Sequence, residues 1–286
     1  MNTFRSQLAQ ILLATALLGC GTASQNAGPP RESTGETRAD PPVSHREDEA
    51  VAQSPKPTPT PKPGEDWRMY GRDATRNPVS PERGAPIDWD VESGRNIKWS
   101  APLGTMTLGD PVVADGMIWV GTSREEKTGD FSVLKCFRES DGELLYEYAS
   151  PRHPDRHVDI PGGSMPSAPV LEDDRIWFVT NRWEVVCLDI GPLNRRTGLP
   201  KEVWKFDLID ELGVYVRVPI MGIVRGCSPV LHKDRLFVVT GNGTEHLGSD
   251  VVSPRSPSLI CLSKGTGRLL WEDDSPWDQI LDAQWT

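Results

Sequence analysis

His153 and His157 stand four residues apart in the run His-Pro-Asp-Arg-His-Val-Asp, with Asp155 and Asp159 beside them. Two imidazoles at that spacing can chelate a metal ion if they share one face of a helix. Pro154 and the following Pro161-Gly162-Gly163 break helices, and in a loop the spacing carries no fixed geometry. His153 and His157 are weak metal candidates, and a solvated loop is the expected state of the segment. Asn242-Gly243-Thr244 has the form of a glycosylation sequon, but Asn-Gly is also a turn dipeptide, and the turn is expected. The 286 residues hold no phosphate-cradling glycine loop, no nucleophile elbow and no zinc-ligand pattern. No catalytic residue is therefore nominated.

Cys20 offers a different chemistry. Leu17-Leu18-Gly19-Cys20 looks like a bacterial lipobox, in which the cysteine becomes a lipidated N-terminus after cleavage, although Leu18 is larger than its position prefers. Ahead of it, Arg5 and the apolar run Ile11 to Leu18 form a signal core too short for a permanent bilayer span. A plain secretory signal with an incidental cysteine is the alternative. Residues 1–19 are expected to be a lipoprotein signal peptide, with Cys20 holding the chain to a membrane without a spanning helix.

Residues 20–65 are poor in apolar side chains and rich in Pro, Ser, Thr, Glu and Asp, so they cannot bury enough surface to fold. Ser54 to Pro63 alternates proline with lysine and threonine and should run as extended polyproline II. A flexible tether of this length reaches about 35–40 Å, and the proline run lengthens it. A ligand for a proline-reading domain is the other reading of that run; a spacer is expected. The net charge is −10 and no basic run occurs, which disfavours a nucleic-acid partner.

Whatever sites the chain has must be positioned by residues 66–286. Ser258 to Glu272 reads Ser-Leu-Ile-Cys-Leu-Ser-Lys-Gly-Thr-Gly-Arg-Leu-Leu-Trp-Glu, a strand, a glycine turn and a second strand closing on Trp271. The same phrase runs from Leu134 through Cys136 and Gly142 to Tyr146, and from Val185 through Cys187 and Gly198 to Trp204. Upstream of each stand Asp110-Pro111-Val112, Ala168-Pro169-Val170 and Ser228-Pro229-Val230, followed by a polar turn and a β-prone run. Proline is tolerated at the start of a strand. Pro111, Pro169 and Pro229 are 58 and 60 residues apart. Four short strands per unit at that period predict an all-β fold: a β-propeller of four-stranded antiparallel blades, with about three blades present.

The ring is expected to be incomplete. Ile97-Lys98-Trp99 has the form of a closing strand without its preceding three, and Ile280 to Thr286 resembles the lead-in to a fourth unit. Three blades are fewer than a typical ring of four to eight. A fragment of a longer protein is expected; a truncated gene product with an open edge is the alternative.

The phrases Cys-Leu-Ser-Lys-Gly-Thr-Gly-Arg-Leu-Leu-Trp, from Cys261, and Ala-Pro-Val-Leu-Glu-Asp-Asp-Arg-Ile-Trp-Phe-Val, from Ala168, resemble the blade repeat of the pyrroloquinoline-quinone (PQQ)-like propeller superfamily. Asp66 to Asn77 and Cys227 to Gly243 resemble a bacterial PQQ-binding-like repeat family more closely, and the likeness covers residues 67–286. That superfamily includes quinoprotein dehydrogenases, which use PQQ with calcium, and the BamB type of outer-membrane assembly lipoprotein, which binds protein partners and no cofactor. The lipobox and tether match the second group. The dehydrogenases carry an adjacent Cys-Cys pair against the cofactor, and no such pair occurs here.

The resemblance also gives the aromatic and rim residues their expected places. Trp99, Tyr146, Trp204 and Trp271 each end a hairpin and resemble the residues that dock one blade on the next; core packing is their expected role. Cys136, Cys187 and Cys261 share one blade position and, being in separate blades, should lie too far apart for disulfides. If the first strand of each blade lines a channel, Asp110, Arg225, Gln284 and Trp285 fall on its rim. Arg225 could then meet a PQQ carboxylate and Asp110 a calcium ion. A structural role is the alternative for each.

Two function classes follow. One is a lipid-anchored, non-catalytic interaction scaffold on the periplasmic side of the cell envelope, on the outer membrane, contacting other envelope proteins and needing no cofactor. The other is a PQQ- and calcium-dependent quinoprotein oxidising an alcohol or sugar. The scaffold is the expected function.

Overall fold

The computed structural model describes residues 66–124, 131–151, 165, 167–215, 227–242 and 251–275. The leader 1–19, the tether 20–65, and Cys20, His153, His157, Arg225, Gln284 and Trp285 lie outside the described residues. The described part belongs to one compact unit, residues 58–286.

Twelve strands form three four-stranded antiparallel sheets, each built from strands consecutive in sequence. Blade A holds β1 (Val112–Ala114), β2 (Met117–Arg124), β3 (Phe131–Arg138) and β4 (Leu144–Pro151). Blade B holds β5 (Val170–Glu172), β6 (Arg175–Val179), β7 (Glu184–Asp189) and β8 (Lys201–Asp207). Blade C holds β9 (Val230–His232), β10 (Arg235–Val239), β11 (Leu259–Ser263) and β12 (Leu269–Asp273). These are the partial propeller blades that the repeat predicts.

The register repeats to the residue. One row crosses blade A as Val112, Trp119, Cys136 and Tyr146. Its counterparts are Val170, Trp177, Cys187 and Trp204 in blade B, and Val230, Phe237, Cys261 and Trp271 in blade C. A β-bulge follows the cysteine in all three, at Cys136/Phe137, Cys187/Leu188 and Cys261/Leu262. The small thiol leaves room for the aromatic opposite it, and the bulge increases the local twist that lets flat sheets pack around an axis.

Among the described residues, two helices interrupt the pattern. α1 (Gly191–Asn194) sits inside the β7–β8 connection, where the repeat predicts a plain hairpin. α2 (Leu208–Leu212) is bracketed by Asp207, whose side chain accepts from the amides of Ile209 and Asp210, and by Gly213 in the left-handed conformation at φ 65°. The Asp cap and Gly stop are the signals that the sequence carries for this turn. Ile97-Lys98-Trp99 is not in a strand, because its backbone has no ladder partner among the described residues.

Candidate functional site

The first strand of each blade pairs on one side only, leaving an inner edge. Residues 67–76 run across those edges. Trp67 and Val113 of β1 exchange both backbone bonds, at 2.7 and 2.9 Å, and the Leu171 amide of β5 donates to the Arg68 carbonyl at 2.8 Å. Arg76 Nη2 then donates to the Ser228 carbonyl at 2.7 Å, at the foot of blade C. The free edges of β1 and β5 are thus met by the chain's own segment, whose Arg76 side chain reaches the residue two before β9. Gly71, at φ 68°, makes its tight turn: a Cβ there would lie 2.7 Å from the Arg76 Cα.

The rim loops pack on one another. Ser167 Oγ donates to the Val179 carbonyl at 2.8 Å, and the Ala168 amide donates to Ser228 Oγ at 3.2 Å. A Cβ on Gly109 would come within 2.9 Å of the Ser167 carbonyl. Asp110 is exposed beside this contact. Arg76 lies over the Tyr70 ring at 5.2 Å, and burial holds its guanidinium below its ordinary value against the opposing influence of Cys227 and Tyr70.

Of the rim residues expected to meet PQQ or calcium, Asp110 alone is among the described residues. Among the described residues, no three His, Cys, Asp or Glu side chains converge as a metal site, so Asp110 has no companion ligands there. The four described cysteines are buried, and no disulfide joins any two of them. Burial pushes the Cys187 thiol up to about 12 and raises Cys136 and Cys261 as well, so these three are not nucleophiles at neutral pH.

The seams between blades are the best-defined geometry in the molecule. Trp204 Nε1 donates to the Lys264 carbonyl at 3.0 Å, in the turn of blade C, and Trp99 Nε1 donates to the Glu139 carbonyl at 2.8 Å, in the turn of blade A. Each indole lies over a turn glycine. A Cβ on Gly267 would be 2.6 Å from the Trp204 ring, and one on Gly142 would be 2.5 Å from that of Trp99. Lys264 Nζ also pairs with Glu172 of blade B. Trp271 is 37% exposed, its ring tilted against Phe237 of its own blade.

The seam between blades A and B departs from this pattern. The acceptors Glu139 and Lys264 are each the third residue after the row cysteine, which makes Ile190 the equivalent in blade B. The amides of Glu139, Ile190 and Lys264 confirm the match, donating to the carbonyls of Gly116, Asp174 and Asp234 in their blades. In blade B, however, the Ile190 carbonyl accepts from the Asn194 amide at 3.0 Å, inside α1. Trp119 is fully buried, and its Nε1 has no acceptor among the described residues, whereas its counterpart Trp177 reaches Lys264. Tyr146 stands edge-on to Trp119, and Tyr148 edge-on to Phe178, with centroids 6.2 and 5.1 Å apart. The repeat places Tyr146 with the docking tryptophans, and α1 is the insertion that sets this seam apart.

No protein-family model and no curated protein matches this chain. Solved structures similar at low identity include two dehydrogenases and BamB. A europium-containing methanol dehydrogenase shares 16% identity over 72% of this chain and 31% of its own, with a TM-score of 0.46. The quinohemoprotein alcohol dehydrogenase from Comamonas testosteroni shares 17% over 72% and 26%, with a TM-score of 0.45. BamB from Moraxella catarrhalis shares 12% over 59% and 64%, with a TM-score of 0.28. The chain therefore spans less than a third of either dehydrogenase. The blade assignment rests on the strand pairing and register.

Proposed function

We propose that this chain is a membrane-tethered, extracytoplasmic propeller that works as a non-catalytic scaffold for protein contacts. Lipid at Cys20 holds it to the cell envelope, on the periplasmic side of the outer membrane, and residues 20–65 lift the blades toward other envelope proteins. The observation that carries the reading is the exposure of three large apolar side chains in the segment that joins residues 67–76 to blade A. Ile87 is 97%, Trp89 68% and Val91 78% exposed. Large apolar side chains left exposed within five residues of one another fit a contact surface for a macromolecule. Residues 67–76, for their part, bond to β1 and β5 and to Ser228 ahead of β9.

Two measurements on the full chain test this. A photo-crosslinking residue at position 89, introduced in cells, is expected to give discrete protein adducts from the envelope; a smear identical to that from an exposed polar position would count against the scaffold. Titration with PQQ and calcium, followed by tryptophan fluorescence, is expected to show no saturable quench. A saturable quench would favour the quinoprotein alternative.

A further inference from the structure

Residues 87–99 repeat a local geometry seen inside the complete blades. The Asp90 amide donates to the Arg95 carbonyl at 3.1 Å across a turn, as Arg138 does to Glu143 at 2.8 Å in blade A and Ser263 to Arg268 at 2.9 Å in blade C. Gly94, just before the acceptor, has φ 72°, beside 76° for Gly142 and 71° for Gly267. Asp90 Oδ1 also accepts from the Ser93 amide at 2.6 Å, which holds the turn. Trp99 follows and docks on blade A as Trp204 docks on blade C. The segment therefore has the turn that joins the third and fourth strands of a blade, and stands beside blade A as half of one.

This match aligns Trp89 with Phe137, Leu188 and Leu262, which are at most 3% exposed, whereas Trp89 is open to solvent. Ile87 aligns with Lys135, Val186 and Ile260, at most 9% exposed, and is itself open. In the complete blades a hairpin of strands one and two covers these positions. Ile118, Ile176 and Leu236 of the second strand stand opposite Phe137, Leu188 and Leu262. The amides of Glu139, Ile190 and Lys264, which correspond to Val91, donate to Gly116, Asp174 and Asp234 in the turn before that strand. Because Asp90 bonds toward Arg95, its neighbours Trp89 and Val91 direct their backbone groups to the opposite edge. Neither of those two amides has a partner among the described residues.

We propose that the edge at Trp89 and Val91 takes a β-hairpin from a partner polypeptide, which completes a four-stranded blade against blade A. Its second strand runs antiparallel to residues 87–91 with Ile or Leu opposite Trp89, and a carbonyl of its turn receives the Val91 N–H. Every hairpin of this kind among the described residues is already paired in its own sheet, so the occupant comes from elsewhere. The added strands extend an interface that exists, since Trp99 lies over Gly142 and donates to Glu139 of blade A. Main-chain bonds supply the affinity of such an edge addition, and alternate side chains its specificity. The assignment names the contact that the scaffold makes and rests on that reading for the source of the hairpin.

The test is a titration of the full chain with a cyclised peptide of residues 228–240, the first hairpin of blade C, read by NMR at the Trp89 and Val91 backbone amides. Saturable shifts in the micromolar-to-millimolar range are expected, with slowed hydrogen exchange at Val91. The same peptide carrying Leu236→Asp should give no saturable shift. In the protein, Val91→Pro removes a donor that no described residue uses and should weaken binding about five- to tenfold, read at the Trp89 amide. Trp89→Asp, a change at an exposed site, should abolish binding. The proposal is overturned if the wild type shows no saturable shift, if the Leu236→Asp peptide binds equally, or if V91P binds undiminished. It also fails if a photo-crosslinker at position 91, in cells, gives adducts only within this chain, which would make the hairpin its own. Discrete adducts at position 89 with a failed titration would keep the scaffold and remove the hairpin.

Discussion

Trp177 and Trp204 give their indole N–H groups to one acceptor, each Nε1 lying 3.0 Å from the carbonyl oxygen of Lys264. The two come from different strands of blade B, β6 and β8, while Lys264 belongs to the turn of blade C. A carbonyl has two lone pairs, so both bonds can form together. The Lys264 side chain meets Glu172 of β5, so a single residue of one blade is held by three strands of its neighbour. Blade docking is thereby concentrated on one turn.

The turn glycine should be intolerant for two separate reasons. Gly267 is at φ 71°, a conformation that costs a residue with a Cβ about 1–2 kcal/mol, and its Cβ would also lie 2.6 Å from the Trp204 ring. Gly265, two residues earlier, has no positive φ, and a Cβ added there would meet nothing within 4 Å. Gly267→Ala is expected to lower stability by about 2–4 kcal/mol, combining backbone strain with overpacking. Gly265→Ala should change it by less than about 0.5 kcal/mol. Urea midpoints of the two variants at unchanged slope check the contrast.

The shared carbonyl makes a non-additive prediction. Trp204→Phe or Trp177→Phe alone removes one N–H and leaves Lys264 satisfied by the other, so the hydrogen-bond part of each cost should be small. The double variant leaves the carbonyl with neither indole, and its cost should exceed the sum of the singles by about 1 kcal/mol. Trp119→Phe should cost less than Trp177→Phe, because Trp119 Nε1 has no acceptor among the described residues to lose. A double-mutant cycle in urea, with Trp119→Phe beside it, measures both statements.

How much of this is legible in the sequence depends on what each feature answers to. The rows through Cys136, Cys187 and Cys261 are readable because strand pairing at a fixed period places equivalent residues on equivalent strands. α1 escapes the repeat pattern, although a signal exists: Trp204 follows its cysteine by 17 residues, while Tyr146 and Trp271 follow theirs by 10. The longer connection looks like a longer hairpin loop, but Pro192 at the start of the helix marks a turn of helix instead. The bonds of Trp67 and Arg68 to the inner edges are not legible, since Trp67 pairs with a strand 46 positions away and nothing local encodes the match. Asp110 is exposed beside the close approach of Gly109 to Ser167, and the company it keeps there is set by tertiary packing.

The buried thiols carry the last prediction, in alkaline solution. Burial raises the folded-state values of Cys136, Cys187 and Cys261 above the ordinary value of 9.0, with Cys187 at about 12. A group whose value is raised on folding contributes stability that is fully present below its unfolded value and is lost as pH rises through the interval between the two. For Cys187 that interval runs from about 9 to about 12. Within it, each thiol that ionises only on unfolding adds a slope of about 1.4 kcal/mol per pH unit. Cys187→Ala should therefore lose less stability than wild type between about pH 9 and 11, whatever the two differ by at pH 7. Urea unfolding of both proteins across that range is the measurement, and parallel pH profiles would show that Cys187 does not report on folding in this way.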